Sequence, residues 1–429
     1  MLKILTFGTF LLMTIITDKI VIGGNSLGKI DGKNVFVPYT MPGETLEIEI
    51  TDSKKDYDFA EIKKIIKPSK DRITPPCRYY GKCGGCNMMH IKPQKQRELR
   101  KQMLTDVFFQ NGIDISKITK IVYGPDYNYR ARFQLNDGGL SQKRSNVVIP
   151  VDKCLCAEKP VNDYLSKTPP FERPRGRCHL FGSEFAVAQS QKEITSAGRS
   201  IKIYSEFSDK KSCRNSGYNK LAKKAKSQKK FRENHYFSGT VESPENTIEV
   251  EFAGKRLCFD IRGFFQSNIF VFEKVVKLIA EYLPGGENVL DMYAGCGSIS
   301  AFLADKYKNV MIVEHNRDAV VYAEKNLAGK NHVSYGLSGA NWVKTCAQYC
   351  NKFDACVIDP PRSGMEKEVC DYLCKSGIPH IVLLSCDPAT NARDCTRLIK
   401  SGYQLKQIYL LDFYPNTSHI ESLAIFQLR

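Results

Sequence analysis

Three constellations in this sequence have residue types and spacing that could do chemistry. The first is Leu383-Leu384-Ser385-Cys386-Asp387-Pro388-Ala389-Thr390, in which Cys386 separates an apolar run, His380 to Leu384, from a segment that opens at Pro388 and stops at Gly402. The run predicts a short buried strand and the segment a helix, so Cys386 falls in the turn where open α/β sheets place their reactive groups. A thiol there can serve as a nucleophile, although a cysteine at a strand end more often packs as a small apolar residue. The second is Cys77 followed by Cys83-Gly84-Gly85-Cys86, a C-x5-C-x2-C set whose glycines let the backbone wrap closely around a metal. Thiolates at that spacing ligate zinc or an iron-sulfur cluster, and spacing alone leaves the metal open. The third runs from Val289-Leu290-Asp291 through Tyr293-Ala294-Gly295-Cys296-Gly297 and Ser298 to a second strand, Val310 to Val313, that ends in Glu314, 23 residues after Asp291. A glycine loop at a helix N-terminus with a carboxylate at that distance is a nucleoside-binding pattern, the acid accepting from ribose hydroxyls. Dinucleotide folds share it, but they carry G-x-G-x-x-G, and here Ser300 stands where the third glycine would be.

The elements that must position these groups fall into a recognisable order. Lys19 to Ile66 is a series of short β-branched runs broken by Gly23-Gly24, Asp31-Gly32 and Pro42-Gly43, which predicts a small closed barrel. Lys54, Lys55, Lys63 and Lys64 would line a nucleic-acid face of such a barrel or form a solvated basic edge. Lys92 to Asn111 reads as a helix closed by Gly112, and Asn128-Tyr129-Arg130-Ala131-Arg132-Phe133 opens a strand-rich section. Lys210 to Arg232 holds ten Lys or Arg and no Asp or Glu, with too little apolar surface to order itself, and reads as a flexible basic insertion. From Asn288 the pattern alternates strand and helix to the end of the chain.

Composition narrows the class. The formal charge of +17 and a pI near 9.1 point to a polyanionic partner, nucleic acid first, because a basic surface gains affinity by releasing phosphate counterions. Sixteen cysteines scattered through 429 residues, many alone in apolar runs, do not make a secreted disulfide scaffold and predict a reducing, cytoplasmic setting. Ile4 to Ile16 has the length of a signal-peptide core and is too short to span a membrane. No small-x-small cleavage site follows it, so Met13 is expected to be the better initiator and export is not expected.

Three motifs in one order give a specific resemblance. Ser385-Cys386-Asp387-Pro388-Ala389-Thr390, with Asp359-Pro360-Pro361-Arg362 upstream and His419-Ile420-Glu421-Ser422 downstream, resembles the S-adenosylmethionine-dependent RNA uracil-5-methyltransferases, and the likeness runs from about Lys19 to Arg429. Val35-Phe36-Val37-Pro38 and Met41-Pro42-Gly43-Glu44 resemble the family's TRAM module, an OB-like barrel. The resemblance implies an α/β chain: a C-terminal Rossmann-like class I methyltransferase fold, an N-terminal TRAM β-barrel and a β-rich iron-sulfur central domain. The expected division is an N-terminal extension at 1–17, a barrel at 18–68, a central domain at 69–262 with the basic insertion near 198–235, and a methyltransferase domain at 263–429. It further implies S-adenosyl-L-methionine bound by Gln266, Tyr293, Ser298, Glu314 and Asp359, and a 4Fe-4S cluster on Cys77, Cys83, Cys86 and Cys154, the last chosen over Cys156. Where relatives carry an acid or amide after the third strand to meet adenine, this chain has Gly336-Leu337-Ser338-Gly339.

The chemistry follows from the base. Uracil C5 is a poor nucleophile, so methylating it needs covalent help: Cys386 as thiolate adds at C6, and Glu421 as base removes the C5 proton so that the thiolate can leave. An unperturbed thiol is only a few per cent ionised at neutral pH, so the site is expected to favour the anion. The reading is a monomeric methyltransferase of 23S ribosomal RNA with no membrane association. The alternatives are the T-loop uridine of transfer RNA and, from another class, an RNA-binding protein on a retired scaffold.

Overall fold

The structure, a computed structural model, describes residues 12–143, 145–186, 201–205 and 246–429. The basic run Lys210 to Arg232 lies outside them. Two compact units result, one made of residues 1–104, 142–144 and 414–419, the other of residues 105–141, 145–413 and 420–429.

In the first unit five strands close into a barrel: β1 (Met13–Ile20), β2 (Asn25–Ile30), β3 (Lys33–Pro38), β4 (Thr45–Ser53) and β5 (Tyr57–Lys67), in the order β1-β2-β3-β5-β4 with β1 and β4 paired to complete the ring. Alternation decides what goes inside, Ile15, Val35, Val37, Leu46, Ile48 and Ala60 forming the core. The first strand starts at Met13, ahead of Lys19, because Ile15 is a core residue. Asp31 and Gly32 both adopt positive φ, 48° and 81°, the twist that a two-residue hairpin turn between β2 and β3 requires. A buried ion pair ties the barrel to the following loop. Glu44 is fully buried, and its carboxylate accepts from Arg72 Nε (2.5 Å) and Nη2 (2.7 Å) and from the backbone N–H groups of Met41 and Ser69. Lys63 pairs with Glu49 and Glu61, and Lys54 with Asp52, so the expected basic face of the barrel is partly neutralised on its own surface.

Helix α1 (Pro93–Gln110) leads into the second unit, whose centre is an eight-stranded sheet. Its strands are β6 (Thr119–Val122), β14 (Gly286–Met292), β15 (Tyr307–Val313), β16 (His332–Tyr335), β17 (Ala355–Ile358), β18 (His380–Ser385), β19 (Tyr403–Leu411) and β20 (Glu421–Leu428), in the order β16-β15-β14-β17-β18-β20-β19-β6. Strands β14 to β18 are parallel, whereas β20 runs antiparallel to both β18 and β19. Every residue of β17 is buried, as expected for a parallel strand covered on both faces. Between the first two sheet strands in sequence lie β7 (Arg132–Asn136), the short pair β8 (Leu140–Ser141) and β9 (Val148–Ile149), helix α2 (Lys159–Lys167), β10 (Arg177–Gly182), β11 (Ile201–Ser205) and the hairpin of β12 (Thr247–Phe252) and β13 (Lys255–Asp260). Tyr129, at the start of this section, is a core residue. Arg130 lays its guanidinium 4.9 Å from the Phe133 ring centroid and donates to Arg132 O.

Among the described residues the remaining α-helices are α3 (Ile269–Tyr282), α4 (Ser300–Leu303), α5 (Arg317–Asn326), α6 (Gly339–Thr345), α7 (Lys367–Ser376) and α8 (Pro388–Lys400). Helix α8 begins where the sequence predicts: Asp387 caps it by accepting from the N–H groups of Ala389 (3.1 Å) and Thr390 (2.9 Å), and Pro388 occupies the first turn. Among the described residues no helix is long and apolar enough to cross a membrane.

Candidate active site

The strand order reverses between β14 and β17, and an open sheet leaves its crevice outside the carboxyl ends of the strands at that point. Tyr293 follows β14 and Asp359 follows β17; the pairing of Met292 with Ile358 sets them side by side, and Asp359 N donates to Met292 O. One strand further, Ser385 at the end of β18 pairs with Ser422 of the antiparallel β20. Cys386 and Glu421 are the next residues outward on those two strands and so emerge at the same edge. The register is held from α8, where Asn391 Nδ2 donates to Ser422 Oγ at 2.7 Å and the Cys395 thiol donates to Asn391 Oδ1.

These groups feel one another. Burial pushes the Cys386 thiol up to about 11, and the charges of Glu421 and Asp359 push the same way, with Arg362 opposing them. Glu421 is raised to about 8 by burial and Asp359, again against Arg362. Burial and then Glu314 raise Asp359 to about 7, while Asp291, buried with Oδ1 unpartnered, reaches about 7 through burial, Asp359 and Glu314 against the Ser300 hydroxyl that donates to its Oδ2. The protein's own groups therefore raise the thiol, and the expected preference for the thiolate would have to come with the cationic sulfonium beside it. The physical reason is burial first, reinforced by the neighbouring carboxylates, with Arg362 opposing both at Cys386 and Glu421.

The glycine loop has the form expected of a ligand cradle. Gly295 and Gly297 take positive φ of 57° and 71°, and a Cβ on Gly297 would press on Leu327 and Ala323 at 3.0–3.1 Å. Tyr293 also sits at φ 64°, a strained conformation for a non-glycine residue and a frequent mark of a working site. Glu314 accepts from Gly295 N (2.9 Å) through one carboxylate oxygen and from Asn316 N (2.6 Å) through the other, so it is fixed beside the loop. Ser298 lies in the turn that opens α4, its N–H directed at the Cys296 thiol. Gln266 is buried in the segment before α3, and its Oε1 has no partner.

The pattern of the family described as tRNA (Uracil-5-)-methyltransferase matches residues 344–428, that of the TRAM domain residues 15–63, and that of the methyltransferase small domain residues 268–376. An uncharacterized RNA methyltransferase of Treponema denticola is 34% identical over 96% of this chain and 98% of its own length. The chain belongs to the RNA uracil-5-methyltransferase family. A 23S rRNA (uracil(1939)-C(5))-methyltransferase RlmD of Shewanella amazonensis is 29% identical over 94% of this chain and 93% of its own. The Pyrococcus abyssi tRNA (uracil-54, C5)-methyltransferase, solved with S-adenosyl-L-homocysteine, shares the fold at a TM-score of 0.68 and 19% identity, covering 96% of this chain and all of that one.

Among the described residues no group of three or more His, Cys, Asp or Glu is gathered to hold a metal ion, although Cys77, Cys83 and Cys86 share the first unit. Cys83 Sγ accepts from Gly85 N at 3.4 Å, and Cys154 is committed to a hydrogen bond with Cys156, which with burial pushes its thiol well up. This arrangement does not support the expected 4Fe-4S cluster.

Three groups were not assigned a role from the sequence. Arg362 is the cation facing Cys386 and Glu421, and its adjacency to Asp359-Pro360-Pro361 was the available signal. Asp394, almost fully buried, accepts from Met365 N through Oδ2 and from Arg393 through Oδ1, which fixes the loop that carries Arg362. Glu366 fills the place left bare after the third strand: its Oε2 accepts from Ala340 N (2.9 Å) and from Tyr293 OH (3.4 Å), and a Cβ on Gly339 would lie 2.7 Å from that oxygen. The lack of an acid in Gly336 to Gly339 was the only sequence hint that one had to arrive from elsewhere.

Proposed function

We propose that this chain methylates C5 of a uridine in 23S ribosomal RNA with S-adenosyl-L-methionine as donor, through a covalent adduct on Cys386. The observation that carries the reading is the meeting of Cys386, Glu421, Asp359 and Arg362 where the carboxyl ends of β17 and β18 meet the amino end of β20, a nucleophile and a base in one crevice. The names of the relatives near 29% identity support ribosomal RNA as the substrate.

The residues present fit the donor. Gln266 Oε1 and Asp291 Oδ1 are buried acceptors without partners, and Glu314 is held where ribose hydroxyls are met in such folds. The raised carboxylates make a crevice whose negative charge exceeds what Arg362 offsets, and a cationic sulfonium would add to that offset. When bound, the donor provides an electrophilic methyl group on a positively charged sulfur. Cys386 Sγ, once ionised, adds to C6 of the uracil, and the C5=C6 electron pair moves onto C5 and the neighbouring carbonyl. After C5 is alkylated, Glu421 takes the C5 proton, and the electrons of that C–H bond restore C5=C6 as the Sγ–C6 bond breaks. Arg362, whose charge lowers both the Cys386 thiol and the Glu421 carboxyl, stabilises the thiolate and the carboxylate. The uridine must leave its stack to reach this crevice, at a cost of a few kcal/mol recovered from RNA contacts elsewhere.

The test is to map 5-methyluridine by mass spectrometry in ribosomal and transfer RNA from cells with and without the gene. Loss of one 23S site is expected; loss confined to transfer RNA would move the substrate assignment, and no loss in either would remove the activity.

A further inference from the structure

The first unit contains a cavity of about 550 Å³ that the methyl-transfer residues do not touch. Part of its lining is an aromatic platform on the outside of the barrel. Strands β3 and β5 run parallel with Asn34 opposite Tyr57 and Phe36 opposite Phe59. Since Val35, Val37 and Ala60 fill the barrel core, the alternation turns Phe36, Tyr57 and Phe59 outward. The three rings pack on one another with centroids 5.6 Å apart in each pair, and Tyr57 is 37% exposed. Aromatic rings grouped on an outer face can serve as a stacking platform for bases.

Val21 and Ile22 add apolar surface, and the rest of the lining is polar or bare backbone, including Gly84, Gly85, Asn87, Lys143, Ser418 and His419. Asn87 locks three segments: its Nδ2 donates to Gly23 O (3.0 Å) and Ser418 Oγ (2.9 Å), and its Oδ1 accepts from Ser418 N (2.8 Å). Gly24 admits that close approach, because a Cβ there would lie 2.6 Å from Asn87 Nδ2. The cavity is thus preformed. The same unit carries twenty Lys or Arg against eleven Asp or Glu, a field that favours a polyanion.

We propose that this cavity receives one unpaired nucleobase of the RNA substrate, stacked on the Phe36–Tyr57–Phe59 platform. The volume accommodates a nucleotide, the aromatic wall offers a π-face to any base, and the amide, hydroxyl and backbone groups offer hydrogen bonds to a base edge. The site goes beyond methyl transfer and rests on that reading only in taking RNA as the ligand.

The experiment uses the full chain and a single-stranded RNA oligonucleotide carrying 2-aminopurine, with a fully paired duplex of the same sequence as the control. Tyr57→Leu and the Phe36→Leu/Tyr57→Leu pair are compared with Tyr57→Phe, each checked for an unchanged melting curve. Wild-type and Tyr57→Phe proteins should quench the 2-aminopurine. The leucine variants should lose the quenching and bind the single strand about 5- to 150-fold more weakly, the range that stacking of one base provides, with duplex affinity unchanged. Because the platform lies on the exposed barrel face, Tyr57→Leu keeps the test open even if the double variant fails to fold. Equal losses for single strand and duplex, or no loss, would overturn the proposal. Methyl transfer by the same samples at saturating RNA separates the two readings. Wild-type turnover with unaltered binding in the variants sinks the cavity alone; selective binding loss with no turnover in any sample sinks the proposed activity alone.

Discussion

Replacing Glu421 with glutamine should change Cys386 in a way that depends on pH. With its thiol pushed up to about 11, Cys386 in the free protein is ionised in only about one molecule in three thousand at pH 7.5. Glu421, raised to about 8, carries its proton below that pH and a charge above it. Below pH 7 the wild-type carboxyl and the substituted amide are both neutral, so the thiols should behave alike. Above pH 8 only the wild type places a negative charge beside the sulfur, and losing it should lower the Cys386 midpoint by at least about one unit, tenfold in thiolate at a given pH. Iodoacetamide labelling measures this directly, with the Cys386 peptide quantified by mass spectrometry among the sixteen cysteines. Labelling of Glu421→Gln should match wild type within about twofold at pH 6.5 and exceed it about tenfold at pH 9. With RNA and donor present, the same variant should accumulate a methylated protein–RNA adduct that survives denaturing electrophoresis, since loss of a general base slows a step by about 10²- to 10⁴-fold. Cys386→Ala should form none. Equal labelling at pH 9 would show that Glu421 does not face the thiol, and wild-type turnover without an adduct would pass the role of base to another group, Asp359 being the next to test.

The raised carboxyls also set a pH dependence of stability. Folded values near 7 for Asp291 and Asp359 and near 8 for Glu421 lie above the unfolded ones, so their contribution is complete below about pH 4 and is lost as pH rises through 7 to 8. The free protein should melt at a lower temperature at pH 8.5 than at 6.0. Cationic S-adenosylmethionine should recover more of that loss than uncharged-sulfur S-adenosylhomocysteine, and a flat melting profile across this range would refute the electrostatic account. Glu366→Ala removes the acceptor of Ala340 N and Tyr293 OH, so donor affinity by calorimetry should fall about 10- to 100-fold with kcat little changed. A kcat loss at unchanged affinity would place Glu366 in the chemistry instead. Arg72→Ala strands the buried Glu44 charge, which burial pushes up but Arg72 and two backbone donors hold below its usual value, and should cost about 3–5 kcal/mol in denaturant unfolding. A loss under 1 kcal/mol would mean that water replaces the guanidinium.

What could be read in the one-dimensional chain is what repeats locally. Alternating Val35 and Val37 announce a barrel strand, the apolar run before Cys386 a covered parallel strand, Asp387-Pro388 a helix start, and the spacing from Asp291 to Glu314 a nucleoside crevice; each rests on neighbours within one or two elements. The cysteine spacing was legible too, yet spacing states only that ligands could converge, and among the described residues no group of three or more metal-ligating side chains is gathered. Tertiary structure alone decided the rest. Glu366 reaches the bare Gly339, Asn391 pins the start of β20 beside Cys386, and Phe36 joins Tyr57 and Phe59 only because β3 and β5 pair in parallel across the barrel. The mutual elevation of Asp291, Asp359, Glu421 and Cys386 belongs in the same group. Charge and desolvation act through space at a few ångströms, and a sequence carries no measure of that distance until strand order and register are fixed.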